Sequence, residues 1–221
     1  MVFRVVSWNV RSLRDDSSGV AAFLRGLEAD IVLLQEAPRL LGSSFANRRL
    51  AHRAGLRRVV GGAAACGNLL LVSRRVQVVD SRAVRLPRRP GLHRRGAVLG
   101  VLEVDGGRVG VLGAHLDLQP QARLDSATRL RAALASWPPL LVGADLNDQS
   151  GSPTWQALGR GLVDLASDEG PTFPQRGPTR RIDALFADPA LGLERVRRLD
   201  PGPVTDHLAL VADLRPAPAP G

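Results

Sequence analysis

Short apolar runs, rich in Val, Leu and Ile, recur along the chain and alternate with polar, Gly-rich or Pro-rich segments. Their shortness and β-branching favour buried strands over buried helices. The predicted strands cover residues 2–10, 30–35, 68–73, 76–79, 97–104, 108–115, 140–144, 182–186, 194–199 and 207–214. Residues 105–107 read Asp-Gly-Gly and predict a hairpin between two of these strands.

Helical periodicity predicts three helices, over residues 17–27, 43–58 and 120–137. Ser17 and Ser18 have the side chains of N-caps for the first helix. The third helix carries one apolar stripe, formed by Leu124, Ala127, Leu130, Leu134 and Trp137. Residues 61–67 predict a small-residue turn, and the Arg-rich and Pro-rich residues 80–95 predict an exposed loop.

Many strands with few helices, and at least one hairpin, predict an α/β (α+β) fold of mixed sheets covered by helices. No internal repeat and no linker divides the chain. We therefore expect one domain over residues 1–215, followed by a disordered tail over 216–221.

The net charge is +9, and all thirty basic residues are Arg. A GC-rich genome would favour Arg codons, and a phosphate-binding surface would favour guanidinium groups; both readings stay open. The absence of Lys excludes a Walker-type phosphate loop and a pyridoxal Schiff base. Cys66 is the only cysteine, and no segment has the apolar length of a signal peptide or membrane span, so we expect a cytoplasmic location.

Acidic, amide and His residues fall at the ends of the predicted strands. Each alone has an ordinary structural reading, such as a turn cap or an Asx turn. Together they face a shared desolvation cost, which a metal site would relieve for many of them at once. The residues in question are Asn9, Glu36, His115, Asp145, Asn147, Asp183, Asp206 and His207.

Seven motifs follow one another in a defined order: Ser7-Trp8-Asn9-Val10, residues 30–36, 67–74, 113–117 and 143–148, residues 171–174 with 181–183, and Thr205-Asp206-His207. Their order and spacing resemble the endonuclease/exonuclease/phosphatase superfamily of metal-dependent phosphoesterases over nearly the whole chain. The resemblance implies a four-layer α/β/β/α sandwich, with two mixed sheets face to face, helices outside and a cleft at one edge.

The resemblance also implies residue roles. Glu36 would be the principal ligand of Mg²⁺ or Mn²⁺, with Asn9 and Asp206 as further ligands. Asp145 would activate the attacking water, Asn147 would hold that water or a phosphate oxygen, and Asp183 would orient His207 toward the phosphate. His115 would contact the phosphate or protonate the leaving oxygen. Predicted substrate contacts are Asn68, Arg95 and Arg181.

The predicted function is hydrolysis of a phosphodiester by an activated water, in a monomer. Nucleic acid is the first candidate substrate, since the Arg-rich segments 48–58, 82–95 and 176–181 suit backbone phosphates. Residues 172–177 contain no Trp, which disfavours abasic-site repair. The Thr-Phe-Pro and Arg-Ile-Asp motifs equally resemble phosphatase-like and sphingomyelinase-like branches, and a catalytically dead binding protein is a remote alternative.

Overall fold

A computed structural model describes residues 1–217, which form two six-stranded sheets and four α-helices. In the first sheet, the strands β1 (Phe3–Asn9), β2 (Ile31–Gln35), β3 (Arg57–Gly61), β4 (Leu69–Val72), β11 (Gly192–Leu199) and β12 (Ala209–Arg215) have the order β11-β12-β1-β2-β4-β3. In the second sheet, β5 (Gln77–Arg85), β6 (Gly96–Val104), β7 (Gly107–His115), β8 (Leu140–Asp145), β9 (Val163–Asp164) and β10 (Asp183–Ala187) have the order β5-β6-β7-β8-β10-β9. The helices are α1 (Ser17–Leu27), α2 (Ser43–Arg53), α3 (Pro120–Ala132) and α4 (Pro153–Gly159).

Both sheets are mixed, because β1 pairs in parallel with β2, and β7 with β8, whereas the other pairings are antiparallel. Residues such as Leu33 and Val98 fill the space between the sheets. Helices α1 and α2 cover the outer face of the first sheet, and α3 and α4 cover that of the second. The predicted four-layer sandwich is confirmed, and it explains why the central strands are apolar on both faces.

The predicted N-cap of α1 and the predicted end of α3 are wrong, whereas the predicted range of α1, residues 17–27, is confirmed. The N-cap of α1 is Asp16, whose carboxylate accepts hydrogen bonds from the backbone N–H groups of Ser18 and Gly19, each at 2.9 Å. Ser17 and Ser18 therefore lie in the first turn. Helix α3 ends at Ala132, although Leu134 beyond it is still buried.

The predicted helix 43–58 contains the start of an unpredicted strand, and the predicted strand 76–79 extends into the predicted loop 80–95. Helix α2 ends at Arg53, Gly55 turns the chain with a φ of 75°, and β3 begins at Arg57. Strand β5 runs on to Arg85 and pairs with β6 along its whole length, so only residues 86–95 form a loop. Because β5 is an edge strand with mostly exposed side chains, backbone pairing rather than apolar alternation defines it. Helix α4 and strand β9 were not predicted.

The predicted tail begins with two residues that contact the fold. Ala217 packs against the core between the sheets, and Pro216 lies beside Gly107. Residues 218–221 lie outside the described residues. Within residues 1–217, none of the helices combines the length and the hydrophobicity that a membrane crossing needs. The cytoplasmic location and the monomeric state stay predictions.

Candidate active site

Strand pairing places the predicted site residues at one edge of the sandwich. In the first sheet, Asn9 at the end of β1 is opposite Gln35 at the end of β2, and Glu36 follows directly. In the second sheet, Asp145 at the end of β8 is opposite both His115 and Asp183. The register of the strands thus assembles residues that are far apart in sequence.

The two sheets come close together under this edge because Gly143 has no side chain. A Cβ atom there would lie 2.8 Å from the Cβ and Oγ of Ser7. The buried side chain of Gln35 joins the sheets, since its Nε2 donates to the Gly143 carbonyl and to Ser7 Oγ, each at 3.3 Å. Gln35 was not predicted as a site residue; its one signal is a buried amide directly before Glu36.

Asp145 lies at the centre of the site and is almost fully buried. Its Oδ2 accepts a hydrogen bond from Asn9 Nδ2 at 2.8 Å and lies 3.5 Å from His115 Nε2 and 3.9 Å from His207 Nε2. Its Oδ1 accepts the backbone N–H of Asn147 at 3.0 Å, which makes an Asx turn. Burial opposes ionisation, but the two His rings and these hydrogen bonds hold the pKa of Asp145 below its usual value.

Asp183 and His207 form a buried pair beside Asp145. His207 Nδ1 lies 2.9 and 3.1 Å from the two carboxylate oxygens of Asp183. Burial alone would lower the pKa of His207, but the charge and hydrogen bonding of Asp183 outweigh it and raise the pKa to about 9. The hydroxyl of Thr172 accepts the backbone N–H of Asp183 at 3.3 Å and so orients this strand end.

His115 is buried and held by Asn147. The Asn147 amide nitrogen donates to the Leu116 carbonyl at 3.1 Å and lies 2.8 Å from His115 Nε2, so that ring nitrogen is the acceptor. Burial lowers the pKa of His115 to about 4, despite the nearby charge of Asp145. The ring is therefore neutral near pH 7, with its other nitrogen, Nδ1, 3.8 Å from Glu36 Oε1.

Glu36 stands at the open side of the site, with 40% of its side chain exposed. Its Oε1 lies 3.5 Å from Asn9 Nδ2, and its backbone φ is 50°, in the left-handed region that non-glycine residues rarely adopt. Asn147 has the same unusual conformation, with a φ of 51°. Such conformations concentrate at functional sites.

The other predicted ligands lie at the rim. Asp206 has its carboxylate 3.3 Å from Arg11 Nε. The Asn9 amide oxygen accepts the backbone N–H of Arg11 at 3.0 Å, so the amide nitrogen faces Asp145 and Glu36. Asn9 in this arrangement holds the two carboxylates in place and would reach a metal through water.

The three predicted substrate contacts have different surroundings. Arg95 is largely buried, its Nε has no hydrogen-bond partner among the described residues, and it lies 3.9 Å from Asp117. Burial lowers the pKa of Arg95, while the charges of Asp117, Asp145 and Glu36 oppose that shift. Asn68 is buried and its amide nitrogen donates to the carbonyls of Ala65 and Gly96, so it joins the turn before β4 to the start of β6.

Arg181 contacts groups behind the site instead of the site itself. Its guanidinium pairs with Asp164 at 2.5 Å, donates to the Ala166 carbonyl at 3.1 Å and stacks over Trp155. The neighbouring Arg180 lies over the ring of Phe173, which in turn packs 4.7 Å from the His207 ring. Arg180 and Phe173 are therefore the residues of this segment that border the site, and they were not predicted.

The donor set fits a hard divalent cation. Glu36 offers a half-exposed carboxylate that no arginine neutralises within hydrogen-bonding distance in the described chain. Asp145, Asp183 and His207 place one potential ligand atom each within 4.8 Å of one another, but both oxygens of Asp183 already face His207. The arrangement favours Glu36, with Asp145 nearby, as the carboxylate that holds a metal, and Asp183 as the group that orients His207.

The fold and the site together define a metal-dependent phosphoester hydrolase of the two-sheet sandwich type. The sequence profile of the Endonuclease/Exonuclease/phosphatase family matches residues 6–207, and the chain belongs to that family. Its members are phosphoesterase hydrolases that depend on a divalent metal ion.

Three solved structures illustrate the likeness. An endonuclease/exonuclease/phosphatase family protein from Bacteroides thetaiotaomicron has a TM-score of 0.82 and 16% identity, over 97% of each chain. A mannosyl-6-phosphatase from the same species has a TM-score of 0.81 and 16% identity, over 96% of this chain and 99% of that one. D. rerio TDP2 with a single-stranded DNA product has a TM-score of 0.79 and 14% identity, over 97% of this chain and 99% of that one. No curated protein sequence matches the chain.

Proposed function

We propose that the chain hydrolyses phosphodiesters with a metal-activated water, and that its substrate is nucleic acid. One observation carries this proposal: the Asp145 carboxylate lies within 4 Å of Asn9, His115 and His207, with Glu36 beside them at an open edge. In this proposal Asp145 would be the general base, His207 the cationic imidazole and Glu36 the carboxylate that is open to a ligand.

Glu36 would hold Mg²⁺ or Mn²⁺, with Asn9 and Asp206 contributing directly or through water. A bound ion of this kind neutralises phosphate charge and makes water a stronger nucleophile.

Asp145 would accept the proton of the attacking water, since its low pKa keeps it ionised and its Oδ2 faces the site. Asn147 would position that water or a phosphate oxygen. His207, cationic because of Asp183, would hydrogen-bond a phosphate oxygen through Nε2 and stabilise the charge that develops there. His115 accepts a hydrogen bond at Nε2, which supports a phosphate-side positioning role over proton donation to the leaving oxygen.

Nucleic acid is supported by the arginines that surround the edge. Arg11 pairs with Asp206, Arg39 lies in the loop after Glu36, Arg95 is close to Asp145, and Arg180 lies over Phe173. Guanidinium groups bind backbone phosphates without reading sequence. The DNA product bound to D. rerio TDP2 is consistent with this choice on the same fold.

The test is hydrolysis of single-stranded DNA, plasmid DNA, RNA and a chromogenic phosphodiester with Mg²⁺ or Mn²⁺. We expect turnover of at least one nucleic acid, and Glu36→Gln should need a much higher metal concentration for the activity that remains. Exposed Glu194→Gln, which removes the same charge far from the site, is the control. Activity that is unchanged by a chelator would contradict the proposal.

A lipid-linked phosphodiester is the second candidate, because the segment that follows Glu36 exposes large apolar side chains. Leu40, Leu41 and Phe45 all have most of their surface in solvent. An apolar rim beside a phosphoesterase site suits a substrate that carries acyl chains. Faster hydrolysis of sphingomyelin or phospholipid vesicles than of any nucleic acid, with loss of that rate in Leu41→Ser, would favour this candidate.

A further inference from the structure

A basic cavity of about 630 Å³ opens on the first sheet, away from the predicted active site. It lies between the end of α2, the turn at Gly55 and the start of β3, with further walls from α1 and from the turn after β4. Its charged lining consists of Arg25, Arg48, Arg57, Arg58 and Arg74, together with His52. We refer to it as the arginine cavity.

The arginines of this cavity have no acidic counterpart. None of the residues that line it is acidic, and none of its five arginines forms an ion pair with a residue of the described chain. Nearby Arg4 and Arg75 differ, because each pairs with a carboxylate. Like charges gathered in one concave surface repel one another, so the cavity is organised for a negative ligand.

Two of these guanidinium groups are fixed in place and keep free donors. Arg57 Nη2 donates to the Val76 carbonyl at 2.8 Å, and Arg58 Nη2 donates to the Gly61 carbonyl at 2.9 Å. These bonds use one nitrogen of each group, and Nη1 of both arginines makes no hydrogen bond with the described residues. These free N–H groups can donate to phosphate oxygens.

The cavity is separate from the catalytic edge. Arg57 is opposite Val72 in the sheet, and Val72 is opposite Ile31 at the start of β2, whereas Glu36 follows the end of β2. Five strand residues at roughly 3.3 Å each separate the two places by about 17 Å. One ligand phosphate cannot occupy both.

We infer that the arginine cavity binds a small molecule with two or more phosphate groups. A guanidinium fork matches phosphate oxygens in pairs, and five forks exceed what one phosphate can accept. The volume is that of a pocket for a nucleotide-sized ligand. Either a free polyphosphate compound or a bisphosphorylated lipid headgroup offers this chemistry.

Isothermal titration calorimetry of the whole protein with tripolyphosphate, in EDTA so that no metal-dependent site contributes, tests the inference. The variant is Arg48→Gln/Arg74→Gln, because neither side chain makes a hydrogen bond or ion pair with the described residues. The matched control is Arg108→Gln/Arg129→Gln, which removes the same charge from exposed positions on the second sheet and α3. We expect the variant to weaken binding at least tenfold and the control less than twofold.

Three results would overturn the inference. Wild-type protein that does not bind tripolyphosphate excludes the site. Equal weakening in both double variants shows attraction by bulk charge alone. Loss of binding in Arg95→Gln, with retention in Arg48→Gln/Arg74→Gln, places the anion at the catalytic edge instead.

Vesicles distinguish the two sources of the phosphates. If the ligand is a lipid headgroup, phosphatidylcholine vesicles that contain phosphatidylinositol 4,5-bisphosphate should bind through the same arginines. If the ligand is a free polyphosphate compound, tripolyphosphate should bind more tightly than these vesicles. A third probe is single-stranded DNA. If the protein binds this DNA through Arg48 and Arg74 but does not bind tripolyphosphate, the inference is overturned in favour of a nucleic-acid surface.

Discussion

The two ends of the sandwich treat buried and clustered charge in opposite ways. At the catalytic end, Asp145 accepts hydrogen bonds from Asn9 and Asn147, and Asp183 faces His207. At the other end, the arginine cavity gathers five cations that no carboxylate of the described chain neutralises. At the catalytic end, most charged groups are paired with one another, and one carboxylate, Glu36, is left for a ligand. In the arginine cavity, nearly all of the charge is left for a ligand. Charge that a fold leaves unpaired therefore indicates what it binds.

The largest effect should come from Asp145→Asn. The change keeps the shape of the side chain but removes the base, so we expect kcat for a phosphodiester to fall by about 10³-fold. Steady-state kinetics at saturating Mg²⁺ measure this, with the melting temperature as a check on folding. Turnover near the wild-type rate would show that the catalytic end is not organised around Asp145.

Asp183→Asn should have the next largest effect. The amide can hold the His207 ring but cannot stabilise its cationic form, so kcat should fall by about 10–100-fold, the usual cost of losing an orienting partner. KM should change far less, which separates loss of a charged His207 from a general structural defect. A change confined to KM would contradict the positioning role.

Gly143→Ala tests the close approach of the sheets beneath the site. The added Cβ would lie 2.8 Å from Ser7 and 2.9 Å from Leu33, so we expect a loss of about 1–3 kcal/mol in the free energy of unfolding in urea. Gly26→Ala is the matched control, because nothing lies within 4 Å of its new Cβ in helix α1. That control should gain about 0.5–1 kcal/mol. Equal effects of the two changes would show that Gly143 is not required for packing.

The smallest expected effect is that of Asp213→Asn on the free energy of unfolding. Asp213 pairs with Arg4, whereas the arginines of the cavity have no acidic partner in the described chain. The hydrogen bond from Arg4, at 2.6 Å, holds the pKa of Asp213 below its usual value. Its contribution is therefore present above the unfolded pKa of about 3.9 and is lost as pH falls toward the lower folded value. Asp213→Asn should cost about 1 kcal/mol or less at pH 7, and the difference from wild type should vanish in acid.

Denaturation at several pH values measures that difference. Asp168→Asn serves as the control, since this exposed carboxylate contacts no side chain of the described residues within hydrogen-bonding distance. A difference for Asp213→Asn that grows as pH falls would contradict the assigned sign.

Much of the catalytic end could be predicted from the sequence, because it depends on local features. A polar residue directly after an apolar strand marks the strand's end, and Asn9, Glu36 and Asp145 all carry that mark. The sequence has no comparable feature that tells which of two adjacent arginines, Arg180 or Arg181, lies beside the site. Arg181 faces away from the site and Arg180 borders it, which only the course of the backbone decides.

Features made by contacts between distant segments could not be predicted. The part of edge strand β5 beyond residue 79 is defined by its pairing with β6. The Asp16 cap is a local feature, but several neighbouring polar side chains could cap this helix and the sequence does not decide among them. The Arg-rich segment 48–58 supplies three arginines of the arginine cavity, but the sequence does not show that Arg25 of α1 and Arg74 after β4 join them.

The most direct measurement is a crystal structure of the protein soaked with Mn²⁺, recorded at a wavelength that reveals the ion by anomalous scattering. We expect one strong anomalous peak beside the Glu36 carboxylate, near Asp145 and His207, and no peak there in Glu36→Gln. A peak held elsewhere in wild-type crystals, or one that persists unchanged in the variant, would contradict this expectation.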